Sequence, residues 1–162
     1  MNDQGSSEQA PHPAWREPTD ADLARLVRGL ADAIVVCDRR GRIVFWNAAA
    51  ARIFGWTADE AIGESLDLII PERYRARHWA GYDQVMETGT TTYGDRLLEV
   101  PALHHSGATV SIAFTVSLLR GSDGEVWAIA AVVRDETARW QEQRAVRRKL
   151  AQLRSAADEP GR

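Results

Sequence analysis

Apolar residues near both ends of the chain follow the spacing of amphipathic helices. Close to the N-terminus, four of them recur at intervals that place them on one helical stripe: Leu23, Leu26, Val27 and Leu30. Thr19 stands just before this stripe as a candidate N-cap. Close to the C-terminus, three residues have the spacing of a short heptad seam: Val146, Leu150 and Leu153. The pattern therefore predicts helices over residues 19–31 and 136–157.

Between these helices, strand-like and helix-like runs follow one another. The strand-like runs are rich in β-branched and aromatic residues and lie near 33–37, 42–46, 95–103, 109–119 and 126–134. In the fourth run, apolar residues alternate with small or polar ones, which is typical of a sheet with one apolar face. Residues 48–87 carry short helical patterns that end at glycine. This order predicts an α+β fold, a five-stranded antiparallel sheet with short helices on one face, flanked by N- and C-terminal helices.

Composition and charge narrow the classes of function. The chain has 162 residues and a net charge of −3, so it has the size of one domain and no positive field to concentrate nucleic acid or anionic lipid. Cys37 is the only cysteine, which excludes a disulfide within one chain. No run is apolar enough to span a bilayer, and the N-terminus lacks a signal-peptide pattern. We therefore expect a cytoplasmic protein with no nucleic-acid or membrane partner.

The sequence also lacks the motifs of common enzyme classes. Neither the phosphate-binding glycine loops nor the Gly-x-Ser-x-Gly turn of α/β-hydrolases occurs. The carboxylates are spread over helix starts and turns, so that no acid/base pair is indicated. The adjacent His104 and His105 adjoin a turn, and neighbouring strand residues point to opposite faces, which disfavours a shared metal. We expect that the chain is not an enzyme.

Three motifs follow one another between residues 30 and 140. They are Asn47-Ala48-Ala49, then Gly55-Trp56 with Glu60-Ala61-Ile62-Gly63, and finally Arg134-Asp135-Glu136-Thr137. In this order they resemble the bacterial PAS (Per-Arnt-Sim) family of sensory domains. The resemblance implies a PAS fold with a ligand-sized cavity between the sheet and its helices. It also implies that Asp135 and Thr137 tie the last strand to the outgoing helix.

This resemblance gives each segment of the chain an expected role. Residues 1–18 are polar and contain three prolines, which favours a disordered lead. Residues 19–31 form an amphipathic helix, residues 32–135 the PAS domain, residues 136–157 a signalling and dimerisation helix, and residues 158–162 a tail. The terminal helices expose apolar stripes, so we expect a homodimer that hides them and relays a signal to a downstream protein.

One histidine on the longest predicted helix is the sharpest candidate for chemistry. The sequence PERYRARH, residues 71–78, resembles the helix that carries the proximal haem ligand in oxygen-sensing haem PAS domains of nitrogen-fixation histidine kinases. The resemblance implies that His78 binds haem iron, for which a neutral imidazole beside an apolar cavity is suitable. It makes haem b the leading cofactor candidate. The further candidate cofactor-binding residues are Tyr74, Tyr82, Arg96, Phe114 and Val116.

Other interpretations of the same residues stay open. His78 could instead make a structural hydrogen bond, with an apolar ligand or none in the cavity. The module would then act through protein interactions, and Trp79 and Trp140 are candidate exposed anchors for them. Flavin is disfavoured, because the Asn-Cys-Arg-Phe-Leu sequence of the photosensory LOV branch is absent and Cys37 lies on the first predicted strand.

Overall fold

The computed structural model describes residues 16–91 and 96–157. Its elements follow the predicted order, with a short 3₁₀ turn at Leu66–Leu68 before the longest central helix. They are α1 (Asp20–Gly29), β1 (Ala33–Asp38), β2 (Ile43–Trp46), α2 (Ala48–Phe54), α3 (Ala58–Ala61), α4 (Glu72–Thr88), β3 (Leu98–Leu103), β4 (Thr109–Arg120), β5 (Val126–Asp135) and α5 (Thr137–Ala157). Most of the predicted lead, the start of the third predicted strand and the predicted tail lie outside the described residues.

The five strands form one antiparallel sheet in the order β2-β1-β5-β4-β3. The last strand, β5, therefore lies in the centre, between β1 and β4. The β4–β5 pair is the longest, running from Ile112 opposite Asp135 to Arg120 opposite Val126. This topology confirms the predicted α+β fold.

One polar side chain and one glycine form the turn between β1 and β2. The Asp38 carboxylate accepts hydrogen bonds from the backbone N–H groups of Arg40 and Arg42, both at 2.9 Å, which closes the β1–β2 turn. Gly41 adopts a φ of 71° there, and a Cβ at this position would collide with the ring of Trp79. Only glycine satisfies both conditions without strain.

Asn47 is the buried polar residue at the junction of β2 and α2. Its Oδ1 accepts hydrogen bonds from the backbone N–H groups of Ile34 at 3.0 Å and Ala50 at 2.9 Å. Its Nδ2 donates to the carbonyl oxygens of Val27 and Asp32. One side chain therefore caps α2 and links it to β1 and to the end of α1.

The two faces of the sheet are covered differently. On the outer face, Ile34, Val36 and Ala128 form a small cluster against which Val27 of α1 packs. On the inner face, the strands pack against α2, α3 and α4 in the main core. The helices from residues 48 to 88 therefore lie on one face of the sheet, as the sequence predicts.

The terminal helices start and stop close to their predicted limits. The Thr19 side chain caps α1 in a capping box with Asp22, and the helix ends at Gly29 because Leu30 takes up an extended conformation. At the other end, the Asp135 carboxylate accepts the backbone N–H of Thr137 at 2.8 Å. The Thr137 hydroxyl in turn accepts the N–H of Ser111 at 3.0 Å. These contacts attach the start of α5 to β4 and β5.

Candidate functional site

A cavity of about 560 Å³ lies between the inner face of the sheet and α4. Its volume falls in the range of roughly 300–1,000 Å³ that small-molecule sites occupy. Its walls are mostly apolar, and the residues from the sheet are Val35, Cys37, Leu98, Glu99, Val100, Pro101, Ala102, Ile112, Phe114, Val116, Leu118, Ile129, Ala131 and Val133. The period of two along β4 explains this wall, because alternate residues of a strand share one face.

His78 lies on the helical wall of this cavity. Its Nε2 atom is buried and has no hydrogen-bond partner among the described residues. Burial lowers the pKa of the imidazole from its ordinary value, although the nearby Asp67 carboxylate acts in the opposite direction. The ring is therefore held in its neutral form, in which a nitrogen lone pair is available. A buried nitrogen without a hydrogen-bond partner lowers the stability of the folded protein, so we expect this atom to have a function.

Two aromatic side chains fix the position of α4 against the rest of the domain. The Tyr82 hydroxyl lies 2.6 Å from the carbonyl oxygen of Asp38 and 3.1 Å from that of Cys37. The Trp79 Nε1 donates to the Asp67 carboxylate at 2.9 Å. Their rings lie 4.9 Å (Trp79) and 5.9 Å (Tyr82) from the His78 ring, centroid to centroid. The prediction that Trp79 is exposed is wrong, because this half-buried ring packs against Gly41 and the core.

Cys37 lines the cavity from β1 as a buried free thiol. Burial, together with the charge of Asp38, raises its pKa to about 12. A thiol with this pKa stays protonated at neutral pH and is a poor nucleophile or metal ligand. It is therefore a wall residue with little reactivity of its own.

The structure brings most of the predicted cofactor-binding residues to one cavity. Tyr74, Tyr82, Phe114 and Val116 line it together with His78. Arg96 is absent from that wall, and its side chain is exposed just before β3. The Tyr82 hydroxyl is occupied by two backbone carbonyl groups, so this residue offers the cavity mainly its ring.

Sequence reasoning missed a further part of the wall. Leu66, Ile69 and Ile70 line the cavity from the turns before α4, and Ile129 and Ala131 line it from β5. The strand residues could have been found, because they alternate along a strand that pairs with β4. The turn residues carry no such period and depend on how α4 is placed.

Other candidate sites gain no support from their surroundings. His105 stacks on Trp56 with ring centroids 3.8 Å apart, and the His104 Nδ1 lies 2.9 Å from the Ser106 hydroxyl. Within residues 16–91 and 96–157, no group of three histidine, cysteine or acidic side chains could hold a metal ion. None of the helices in the described ranges has the length and apolar character needed to cross a membrane.

Comparisons with known proteins agree with this architecture. The family model described as PAS fold matches residues 27–141. An uncharacterized protein of Azorhizobium caulinodans is 36% identical over 118 residues, which cover 72% of this chain and 16% of that protein. The sensor protein FixL of Bradyrhizobium diazoefficiens is 28% identical over 128 residues, which cover 76% of this chain and 24% of FixL.

A solved structure shows the same fold. The PAS domain of a protein from Colwellia psychrerythraea superimposes with a TM-score of 0.64 at 22% identity, covering 73% of this chain and 97% of that domain. The chain spans less than a quarter of the length of the two full-length relatives, so the match is to one module of each. With the family model matching most of the chain, this protein belongs to the PAS-fold family.

Proposed function

We propose that this PAS module is a signal sensor that holds a small, largely apolar ligand in the cavity beside His78. The observation that carries the proposal is the mostly apolar cavity of about 560 Å³ with a buried, unpaired imidazole nitrogen in its wall. Mostly apolar walls with a few polar groups, here His78, Arg77 and Glu99, are typical of small-molecule sites. The sensor name of the FixL relative supports a signalling role for the module.

Haem b is the leading candidate for the ligand. The donor chemistry fits, because the His78 imidazole is kept neutral by burial and its Nε2 is free of hydrogen bonds. Phe114 and Val116 lie on the opposite wall and would contact the flat apolar body of the macrocycle. When bound, haem would supply a redox-active iron that binds diatomic gases.

Absorbance spectroscopy tests the haem proposal directly. Protein purified from haem-supplied cells should show a strong Soret band, and His78→Ala should lose it. His105→Ala is the matched control, because this histidine is exposed and stacks on Trp56 away from the cavity. Colourless protein in all three cases would exclude haem and leave another apolar ligand as the candidate.

A second candidate function is that of a ligand-free interaction module. Apolar side chains on both terminal helices are exposed, among them Leu26, Trp140 and Leu150. Such stripes need a covering surface, and a homodimer through α1 and α5 would provide it. Sedimentation that shows a dimer in the absence of any ligand would favour this function, and a monomer at high concentration would count against it.

The proposal has two further parts, which concern enzymatic activity and the transmission of the response to a downstream protein. We propose that the module has no enzymatic activity, because burial keeps its cavity thiol protonated and the sequence carries no motif of a common enzyme class. The response would then reach a downstream signalling protein through α5. Incubating the purified module with candidate downstream kinases, with and without ligand, would test this coupling.

A further inference from the structure

The mouth of the cavity adjoins a second groove outside the edge of the sheet. Tyr74 of α4 and Glu99, Val100 and Pro101 of β3 line both the cavity and this groove. Tyr74 and Val100 are 38% and 40% exposed, although they also face the interior. The groove has a volume of about 760 Å³, and the first three turns of α5 form its opposite wall. A ligand that protrudes from the cavity would therefore meet the outgoing helix.

This outer groove is positively charged on a chain whose net charge is −3. Its walls carry four arginines, Arg73, Arg139, Arg144 and Arg148, against the two glutamates Glu99 and Glu136. Arg139 pairs with Glu136 at 3.3 Å. The other three arginines have no carboxylate within ion-pair distance among residues 16–91 and 96–157. The groove therefore has unpaired positive charge.

Two of these guanidinium groups are held in place by aromatic rings. Arg144 lies 4.7 Å from the centroid of the Trp140 ring, and Arg73 lies 4.8 Å from that of Tyr74. A guanidinium that stacks on a ring keeps its N–H edge free, and this edge matches the geometry of a carboxylate. Arg148 follows Arg144 by one helical turn, so both project from the same face of α5.

We propose that the ligand of this module is an amphipathic anion, with its apolar body in the cavity and a carboxylate bound by Arg144 and Arg148. This inference rests on the proposed function and adds the chemical class of the ligand. It also gives the ligand a direct contact with α5, because one end is held by the domain and the other by the helix. A ligand that contacts both parts shifts α5 toward the arrangement in which both contacts are made.

Binding of dodecanoate and dodecanol, measured by isothermal titration calorimetry, tests the charge requirement. The two molecules share an apolar chain, but dodecanoate ends in a charged carboxylate and dodecanol in a neutral hydroxyl group. In the double variant Arg144→Gln/Arg148→Gln, dodecanoate should bind about tenfold more weakly, the loss expected for one or two partly exposed charge-assisted hydrogen bonds. Dodecanol binding should not change. Arg147→Gln is the matched control, because Arg147 lies on the same helix but outside the groove.

The opposite wall allows a second comparison. The Glu99 carboxylate lies in the groove and repels an anion there, so Glu99→Gln should strengthen dodecanoate binding and leave dodecanol binding unchanged. Haemin and its dimethyl ester form a second pair of ligands that distinguishes a porphyrin carboxylate from a fatty-acid carboxylate.

The outcomes separate this inference from the proposed function. Equal affinity of the double variant and the wild type for every carboxylate ligand would overturn the arginine site while leaving the cavity as the ligand site. If neither the charged nor the neutral ligands bind to the wild type, both the inference and the proposed function fail. A loss restricted to haemin would support the site and identify the porphyrin as the source of the carboxylate.

Discussion

The two halves of the inner face of the sheet differ in how completely they are filled. Beside β2, Ile43, Ala49 and Phe54 are fully buried, and the Phe54 ring packs on Trp46 with centroids 5.4 Å apart. Beside β3 and β4, α4 leaves the cavity open between itself and Phe114. Since the same sheet supports both halves, the short helices determine which half is closed.

This difference in packing assigns stability to the closed half of the domain and ligand binding to the open half. The closed half has small alanines on α2 that allow the helix to approach the sheet closely, and Asn47 satisfies the backbone groups at its edge. The open half has a buried nitrogen without a partner at His78. Residues that leave packing or hydrogen bonds incomplete are expected where a protein binds something else.

Replacing Phe54 should produce the largest effect on stability. Phe54→Ala removes a fully buried ring from the closed half and should lower the free energy of unfolding by about 3–5 kcal/mol. Phe114→Ala is the matched substitution in the open half, where the ring already borders empty space. It should cost less than half as much. Urea denaturation monitored by circular dichroism measures both, and equal losses would contradict the division into closed and open halves.

Asn47 should rank second, because its side chain makes all of its hydrogen bonds to the backbone. Asn47→Ala leaves the buried N–H groups of Ile34 and Ala50 without an acceptor, which should cost about 2–3 kcal/mol. Asn47→Ser keeps an oxygen that can cap α2, so it should recover part of the loss. If serine and alanine give the same denaturation midpoint, the cap is not the source of the stability.

The closed half could be predicted from sequence better than the open half. The turn at Gly41 and the cap of α2 at Asn47 are local, because each is encoded within a few neighbouring residues. The alternation along β4 is local as well, and it explains why Phe114 and Val116 both line the cavity, although their role in binding a cofactor stays a prediction.

The open half depends on contacts that are distant in sequence. The exposure of Trp79 was wrongly predicted because its partners, Gly41 and Asp67, come from a turn and a 3₁₀ segment that no helical period identifies. Arg96 was proposed from its resemblance to an arginine of the haem PAS domains, but its side chain is exposed outside the cavity wall. A local pattern gives the face of a helix, whereas the size of a cavity depends on where the whole helix is placed.

Asp135 should have a smaller effect than Asn47, because it supports an exposed junction. Asp135→Ala removes the acceptor of the Thr137 N–H at the start of α5 and should cost about 1–2 kcal/mol. Asp135→Asn retains an acceptor and should lose less. Denaturant midpoints measure the series, and an unchanged midpoint in Asp135→Ala would show that the junction does not contribute to stability.

The smallest effect concerns the pH dependence of the open half. Burial lowers the pKa of His78 in the folded protein below its ordinary value of 6.5, so between these two values the unfolded chain binds more protons than the folded one. The free energy of unfolding should therefore decrease as the pH falls below about 6.5 and be restored as it rises. The contribution should be the smallest of these effects, because the ring is only partly shielded from solvent.

The variant His78→Gln isolates this contribution. It removes the titrating ring, whereas His104 and His105 remain in both proteins and cancel in the comparison. The free energy of unfolding of the wild type minus that of the variant is measured without ligand from pH 7.5 to 5. This difference should decrease as the pH falls, because only the wild type has the His78 ring. A flat difference would mean that the pKa of His78 is not lowered in the folded protein, because burial is then too weak to outweigh the Asp67 carboxylate. The cavity wall at His78 would in that case be more open to water than the closed half around Phe54.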